Sequence, residues 1–156
     1  MDETRIAALQ GTPLFGAIRA DVLDGLLASA RTVHVGKDAF FFRERDPAES
    51  MFVLERGEVE ILRHWEGKRY SLGHLRAGDF FGEMALLDLL PRSASILALE
   101  PCEAIELSTA SLLKLYETDL EQFALIQMNI ARELSRRLRD VDQRLFRSQV
   151  GALPLT

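Results

Sequence analysis

The sequence predicts an α+β fold in which a helical beginning and a long helical end enclose an antiparallel β region. Three observations predict it: helical spacing of apolar residues before residue 31, short β-branched and aromatic runs between turn signals in 31–108, and no proline or glycine within Leu120–Phe146. Such short strands are typical of a sandwich or a rolled-up antiparallel barrel. We divide this single domain into an N-terminal helical segment at 1–30, a β region at 31–108, C-terminal helices at 109–148 and a frayed tail at 149–156.

The first thirty residues hold the predicted N-terminal helices. Asp21 lies near the start of a stretch, Pro13–Ala30, whose apolar residues recur at Ile18, Val22, Leu23, Leu26 and Leu27. That spacing places them on one helix face, and an acidic residue favours the first turn. We expect one or two short helices here.

The sequence period changes at Arg31, where β-branched and aromatic residues begin to alternate with polar ones. Turn signals separate the runs, and a hairpin is predicted at Glu66–Lys68. The predicted strands and strand–turn units are Arg31–Asp46, Met51–Leu54, Val59–Arg63, Arg69–Phe80, Ser93–Glu100 and Cys102–Ser108.

The pattern becomes helical again after the β region, with a short helix over Ser108–Asp119 and a long helix over Leu120–Phe146. Along the long helix, eight residues follow at alternating steps of four and three, like the a and d positions of a coiled coil. We call them the seam: Leu120, Ala124, Gln127, Ala131, Leu134, Leu138, Val141 and Leu145. The seam either packs on the chain's own β region or forms a parallel homodimer. We favour the homodimer, because Ala124 and Ala131 permit close helix approach.

Charge and composition exclude several classes of protein. Six arginines lie between Arg132 and Arg147, but acidic residues accompany them and the net charge is −5, so we expect no direct contact with nucleic acid. The N-terminus lacks the apolar part of a signal peptide, and no stretch approaches about 18 uninterrupted apolar residues. We expect a cytoplasmic protein without membrane contact. Arginine outnumbers lysine 16 to 3, which indicates a GC-rich, bacterial genome.

The sequence shows no constellation typical of a metal site or an enzyme. The lone Cys102 can form neither an internal disulfide nor a cysteine-rich metal site, and a buried thiol is expected. The three histidines, at positions 34, 64 and 74, lack the H-x-H spacing of a cupin-like metalloenzyme. No nucleophile is accompanied by a base, so we predict no metal, no cofactor and no catalysis.

The stretch "FFGEMALLDLLPRSAS", Phe80–Ser95, places one acid and one base inside an apolar run. Gly82 permits close approach of the backbone to a ligand, and a short helix beginning at Glu83 would present unpaired N–H groups to an anion. Arg92 offers a planar fork of donors suited to phosphate, whereas a glutamate suits ribose hydroxyls. The pattern predicts a nucleotide-sized pocket; the alternative is a Glu83–Arg92 salt bridge that closes a loop.

The same stretch resembles the phosphate-binding cassette of cyclic nucleotide-binding domains, the family of bacterial catabolite activator proteins and regulatory subunits of cAMP-dependent protein kinase. The pattern F-G-E-M-A-L followed by P-R-S-A keeps the family spacing, and the similarity extends over most of the chain. It implies an eight-stranded, jelly-roll-like antiparallel β-roll flanked by N-terminal helices and a long C-terminal helix.

The resemblance also implies roles for individual residues. Glu83 would accept a hydrogen bond from the ribose 2′-OH, and Arg92 would pair with the cyclic phosphate. Backbone groups of Gly82, Met84 and Ala85 would line the sugar-phosphate, and Ser93 would contact the phosphate or the base. The long helix would cover the base with Ser135, Arg136, Arg137 and Leu138, the two arginines being candidate base contacts.

Two departures from the family pattern bear on function. The chain has Arg45-Asp46 where the family has Gly-Asp in a turn, so that turn must tolerate an arginine. No helix-turn-helix follows the long helix, so operator binding is not expected. We predict a module that binds cAMP or cGMP and signals to an unknown downstream protein by repositioning its C-terminal helix. The alternative is a degenerate member that serves as a dimerisation or interaction module without ligand.

Overall fold

The computed structural model describes residues 1–151 and contains eight antiparallel strands between N-terminal helices and a long C-terminal helix. The predicted α+β fold is confirmed. In chain order the elements are α1 (Glu3–Gln10), α2 (Ala20–Ser29), β1 (Arg31–Val35), β2 (Phe40–Phe42), β3 (Ser50–Arg56), β4 (Glu58–Trp65), β5 (Lys68–Arg76), β6 (Phe80–Phe81), α3 (Met84–Asp88), β7 (Ser95–Ala98), β8 (Cys102–Ser108), α4 (Thr109–Thr118) and α5 (Leu120–Gly151).

The strands form two four-stranded sheets that face each other. The first has the order β1-β8-β3-β6 and the second the order β2-β7-β4-β5. Side chains alternate between the two faces of each strand. Phe52 and Ala104 of the first sheet therefore pack with Val59 and Ile96 of the second, while Val53 points to the opposite face and joins the helices.

The N-terminal segment is helical in two pieces joined by a buried turn. α1 begins after Asp2, whose carboxylate accepts from the N–H of Arg5 at 3.0 Å. The apolar spacing in the sequence had indicated a helix only in the stretch that follows α1, Pro13–Ala30. Asn129 of α5 donates to the carbonyls of Leu14 and Gly16 at 2.8 and 2.9 Å. The turn between α1 and α2 is thereby fixed to the long helix.

α5 begins at Leu120, as predicted, and continues to Gly151 rather than ending at Phe146. No helix-breaking residue occurs before that glycine, so residues 149–151 of the predicted frayed tail are helical. The rest of that tail, 152–156, lies outside the described residues. Ile126 and Ile130 bury the first half of α5 in the helical core, and every residue of 138–150 is exposed.

The seam is mostly exposed in this chain. Gln127 and Leu134 are half-buried, and Leu134 packs against the helical core. The other six members, at positions 120, 124, 131, 138, 141 and 145, are exposed. The seam therefore does not pack on the chain's own β region along most of its length. Within residues 1–151, no helix combines the length and apolarity needed to cross a bilayer.

The hairpin predicted at Glu66–Lys68 is present, and a second turn connects β3 to β4 across the two sheets; glycine has a different role in each. In the β4–β5 hairpin, Gly67 has φ +77° and open space around it. Between β3 and β4, Gly57 has φ +98°, and a Cβ there would lie 2.5 Å from Sγ of the buried Cys102 and 2.8 Å from the carbonyl oxygen of Pro101. Gly57 is therefore required both by its backbone conformation and by the close approach of Pro101-Cys102.

Gly57→Ala should destabilise the protein by roughly 2–6 kcal/mol, since backbone strain and overpacking each cost about 1–3 kcal/mol. Gly67→Ala is the matched control and should lose only about 1–2 kcal/mol, the backbone part alone. Urea unfolding followed by circular dichroism measures both. Equal losses in the two variants would contradict the packing role of Gly57.

Candidate functional site

A cavity of about 570 Å³ lies between the β-roll, the α3 segment and α5. Its apolar wall includes Phe42, Ile61, Leu75 and Ile96. The structure brings all six predicted ligand-binding residues to this cavity: Gly82, Glu83, Met84, Ala85, Arg92 and Ser93. The cavity is therefore formed where the sequence pattern predicted a nucleotide-sized pocket.

Gly82 permits Arg92 to enter the site. Its φ is +82°, and a Cβ at this position would lie 2.7 Å from Nη1 of Arg92. The chain then turns into α3, whose first-turn N–H groups at Met84 and Ala85 have no acceptors within the helix. A guanidinium and free backbone amides thus lie on the same side of the cavity.

The Arg92 guanidinium is buried, with 6% of the residue exposed, and is held from three sides. Nη1 donates to the carbonyl of Gly82 at 3.0 Å, Nη2 donates to Oγ of Ser50 at 3.5 Å, and the Phe42 ring lies 4.0 Å below. Nε is buried without an acceptor among the described residues. Desolvation lowers the pKa of Arg92, an effect that the nearby carboxylates oppose. Such a cation is suited to receive an anionic ligand.

The predicted alternative, a Glu83–Arg92 salt bridge, does not form. Within residues 1–151, no carboxylate lies within 4.0 Å of the Arg92 guanidinium. Glu83 is 5% exposed, and its Oε1 lies 3.6 Å from Nη1 of Arg137 instead. Burial raises the pKa of Glu83; its own backbone N–H, Arg137 and Arg92 oppose that effect.

The backbone of Arg92 is fixed by the turn that departs from the family pattern. Arg45 donates its N–H to the carbonyl of Arg92 at 2.8 Å, and Arg92 donates to the carbonyl of Asp46 at 2.9 Å. Arg45 has φ +74°, a left-handed conformation in which glycine is usual. The turn does tolerate an arginine, as its sequence required, and it aligns the phosphate-binding candidate.

Arg137 ties α5 to the cassette. Its Nη2 donates to the carbonyl of Phe80 at 2.7 Å, and its Nε lies 3.3 Å from the buried carboxylate of Glu133. Glu133 also pairs with Arg136, whose hydrogen bond lowers the pKa of Glu133. Of the four predicted base-cap residues, Arg136, Arg137 and Leu138 line the cavity. Ser135 is exposed and is not part of the lining.

Several lining residues escaped the sequence analysis. Asp140, Val141 and Arg144 continue the helical stripe of Arg136 and Arg137 at steps of three and four, a signal that the sequence did contain. The β5 residues Leu72, Gly73 and His74 also line the cavity, and Arg144 donates to the carbonyl of Leu72 at 3.4 Å. Their contribution depends on how the hairpin folds towards the helix, which no local pattern encodes. Residues 1–151 contain no cluster of three His, Cys, Asp or Glu side chains arranged to hold a metal ion.

Comparison with known proteins identifies the family. The sequence profile described as "Cyclic nucleotide-binding domain" matches residues 32–119. The chain belongs to the cyclic nucleotide-binding domain family. The resemblance inferred from the cassette is therefore confirmed, and the matched range contains every cassette residue of this cyclic nucleotide-binding domain.

The relatives of this cyclic nucleotide-binding domain include both named branches of the family. It is 33% identical over 140 residues to the Cyclic AMP receptor protein of Thermus thermophilus, covering 88% of this chain and 62% of that protein. It is 34% identical over 96 residues to the cAMP-dependent protein kinase regulatory subunit of Emericella nidulans, covering 59% of this chain and 22% of that protein. The chain thus spans less than two thirds of either relative.

The fold has a close solved counterpart in a cyclic nucleotide-binding domain from Methylobacillus flagellatus. The TM-score is 0.83 at 22% identity, over 98% of this chain and 85% of that one. At this identity the similarity supports the fold alone.

The raised pKa of Glu83 predicts a pH-dependent stability. Its carboxyl binds a proton more tightly in the folded than in the unfolded chain, so ionisation of Glu83 opposes folding. That penalty is absent below the unfolded pKa of about 4.3 and is complete above the folded pKa. Glu83→Gln should therefore match the wild type at acidic pH and become increasingly more stable as the pH rises to 8.

Urea unfolding of both proteins at a series of pH values between 4 and 8 measures this difference. Glu117→Gln changes an exposed carboxylate of α4 and is the matched control, for which no growing difference is expected. A Glu83→Gln variant that loses stability relative to the wild type as the pH rises would contradict the burial effect.

Proposed function

We propose that this domain is a regulatory module that binds cAMP or cGMP in the cavity between the cassette and α5. The supporting observation is Arg92: its guanidinium is buried, within residues 1–151 it has no carboxylate in contact and no acceptor for Nε, and the first-turn amides of α3 line the same cavity. The relatives are named for cyclic AMP, so cAMP is the first ligand to test and cGMP the second. The proposed activity is ligand binding without catalysis.

Each polar residue of the site has a part in this proposal. The Arg92 guanidinium and the N–H groups of Met84 and Ala85 donate hydrogen bonds to the cyclic phosphate, since charge-assisted hydrogen bonds to phosphate are the strong ones. Glu83 accepts from the ribose hydroxyl. Ser93 is exposed with its hydroxyl 3.8 Å from the sulfur of Met84, and it contacts the phosphate or the base edge.

Signalling in this proposal follows from competition at Glu83. Glu83 faces Arg137, and Arg137 also donates to the Phe80 carbonyl. A ribose hydroxyl on Glu83 alters the surroundings of Arg137, and a base under Arg136, Arg137 and Leu138 gives the helix a new surface. Ligand then shifts the population of α5 positions, which a downstream protein detects.

Arg92→Ala should weaken cyclic nucleotide binding by about 2–5 kcal/mol, roughly 30- to 4,000-fold, because it removes one side of a buried charge pair. Isothermal titration calorimetry with cAMP and cGMP measures the change. Arg56→Ala removes an arginine that is exposed and outside the cavity, so it should bind like the wild type. Unchanged affinity in Arg92→Ala would exclude the phosphate role.

A wild-type protein with no thermal shift in either nucleotide would instead favour the degenerate, ligand-free interaction module.

We further propose that the domain forms a parallel homodimer through Leu120–Phe146. Six of the eight seam positions are exposed; Leu138 and Val141 line the cavity, and the other four, at 120, 124, 131 and 145, lie outside it and are available to a second copy. An apolar stripe at a and d spacing is stabilised when a second copy covers it. The exposed alanines at 124 and 131 suit a close helix pair.

Leu145→Glu should raise the dimer dissociation constant at least about tenfold, since burying a leucine contributes about 1.5–3 kcal/mol and each dimer has two copies. Leu145 lies outside the cavity lining, so cyclic nucleotide binding should remain. Gln143→Glu adds the same charge off the seam and is the control. Sedimentation velocity at micromolar concentration is the measurement, and a strictly monomeric wild type would rule the dimer out.

The partner that receives the signal is proposed to be a protein rather than nucleic acid. Arg136 is paired with Glu133 and Asp140, and Arg137 with Glu83 and Glu133, so these cations are committed within the chain. The net charge of −5 is also unfavourable for binding phosphate backbones. A bacterial cytoplasm is the compartment that composition favours.

A further inference from the structure

A chain of polar contacts runs from Arg92 away from the cavity. Nη2 of Arg92 donates to Oγ of Ser50 at 3.5 Å, and Ser50 donates to Oε2 of Glu106 at 2.9 Å. The other oxygen of Glu106 lies 3.5 Å from Nε of the exposed Arg31. Ser50 and Glu106 are not part of the cavity lining, so they cannot be recognised from the cavity alone.

Strand register explains how these residues meet. Glu106 of β8 is paired with Phe52 of β3 on one side and with Arg31 of β1 on the other. Residues two apart share a face, so Glu106 points to the same side as Ala104, into the space between the sheets. Ser50 shares that face because it lies two residues before Phe52 on β3, and Phe52 is the strand partner of Glu106. A carboxylate thus stands at the end of the interior core, beneath the guanidinium.

Glu106 is the carboxylate that a hydrogen-bonded hydroxyl joins to Arg92. Desolvation lowers the pKa of Arg92, and Glu106 opposes it ahead of Asp46 and Glu83. Asp46 accepts from the N–H of Arg43 at 2.9 Å and Glu83 faces Arg137, whereas Glu106, which also lies beside the exposed Arg31, is joined to Arg92 through the Ser50 hydroxyl. A buried cation requires a compensating charge, and Glu106 is placed to supply it.

We propose that Glu106 is the counter-ion of Arg92, held off by Ser50, and that this pair of positioning residues sets the affinity for the ligand's phosphate. This proposal rests on the proposed function. The Ser50 hydroxyl accepts from Nη2 of Arg92 and donates to Glu106. It therefore lies between the guanidinium and the carboxylate and keeps the two charged groups out of direct contact. Arg92 is therefore neutralised enough to be buried, yet remains free to bind an anion.

Two substitutions separate the charge from the spacer and have opposite expected effects. Glu106→Gln keeps an acceptor for Ser50 but removes the negative charge that competes with phosphate for the Arg92 guanidinium, so cAMP should bind roughly three- to tenfold more tightly. Ser50→Ala keeps the charge but removes the spacer, so Glu106 competes with phosphate for Arg92. That variant should bind cAMP several-fold more weakly. Loss of general structure would instead weaken binding in both.

Calorimetric titration with cAMP is done on the wild type, both variants and the same variants carrying Arg92→Gln. If Ser50 and Glu106 act through Arg92, both shifts in affinity disappear in the Arg92→Gln background. Ser50→Thr retains the hydroxyl and should restore wild-type affinity. Affinity changes of the same sign in Glu106→Gln and Ser50→Ala, or changes that persist with Arg92→Gln, would overturn the proposal.

A ligand-free measurement tests the counter-ion separately from ligand binding. Glu106→Gln should lower the melting temperature of the wild type more than that of Arg92→Gln, because only the first contains the buried cation. Equal decreases would overturn the counter-ion role even if cAMP binds. A wild type that binds no cyclic nucleotide, but shows the unequal decreases, would overturn the proposed function and retain the counter-ion.

Discussion

The site depends on one constraint: a guanidinium is kept inside the β-roll without a carboxylate in contact. Burying such a cation is unfavourable unless its donors and its charge are compensated. Gly82 supplies a carbonyl and the space, Phe42 supplies an aromatic face, and the turn at Arg45 fixes the backbone. The compensation is incomplete, since one buried donor of Arg92 lacks an acceptor among the described residues.

The cassette and the long helix share a second set of charges, centred on Arg137. Glu83, Glu133 and the Phe80 carbonyl surround it, so the helix contacts the same acid that is proposed to receive the sugar. Glu133 is buried on α5 and pairs with Arg137, four residues further along the helix. This pairing holds the Arg137 side chain in place. The proposed sugar-binding acid and the long helix are therefore in direct contact, without a long path of packed residues between them.

The sequence predicted what periodicity and local chemistry determine: the strands, the start of α5 and the six cassette residues. Ser135 illustrates the limit of such a prediction. The helix face over the cavity was predicted to within one residue, but Leu134 and Arg136 line the cavity and Ser135 does not. The contact of Arg137 with Phe80 joins residues 57 positions apart, and Ser50 reaches Glu106 across 56. Such pairs depend on sheet register and helix docking, which only the folded chain determines.

α5 is 32 residues long, and all of its buried residues lie in its first half. Beyond Arg137, the exposed Arg144 donates to the carbonyl of Leu72 at 3.4 Å. The fourteen residues beyond Arg137 extend for about 21 Å at 1.5 Å per residue. A tilt of about 10° at that arginine would move the far end sideways by roughly 4 Å, by lever geometry over this helical length. If α5 tilts when the proposed ligand binds, a small rotation beside the sugar becomes a displacement of several ångströms at the far end of the helix.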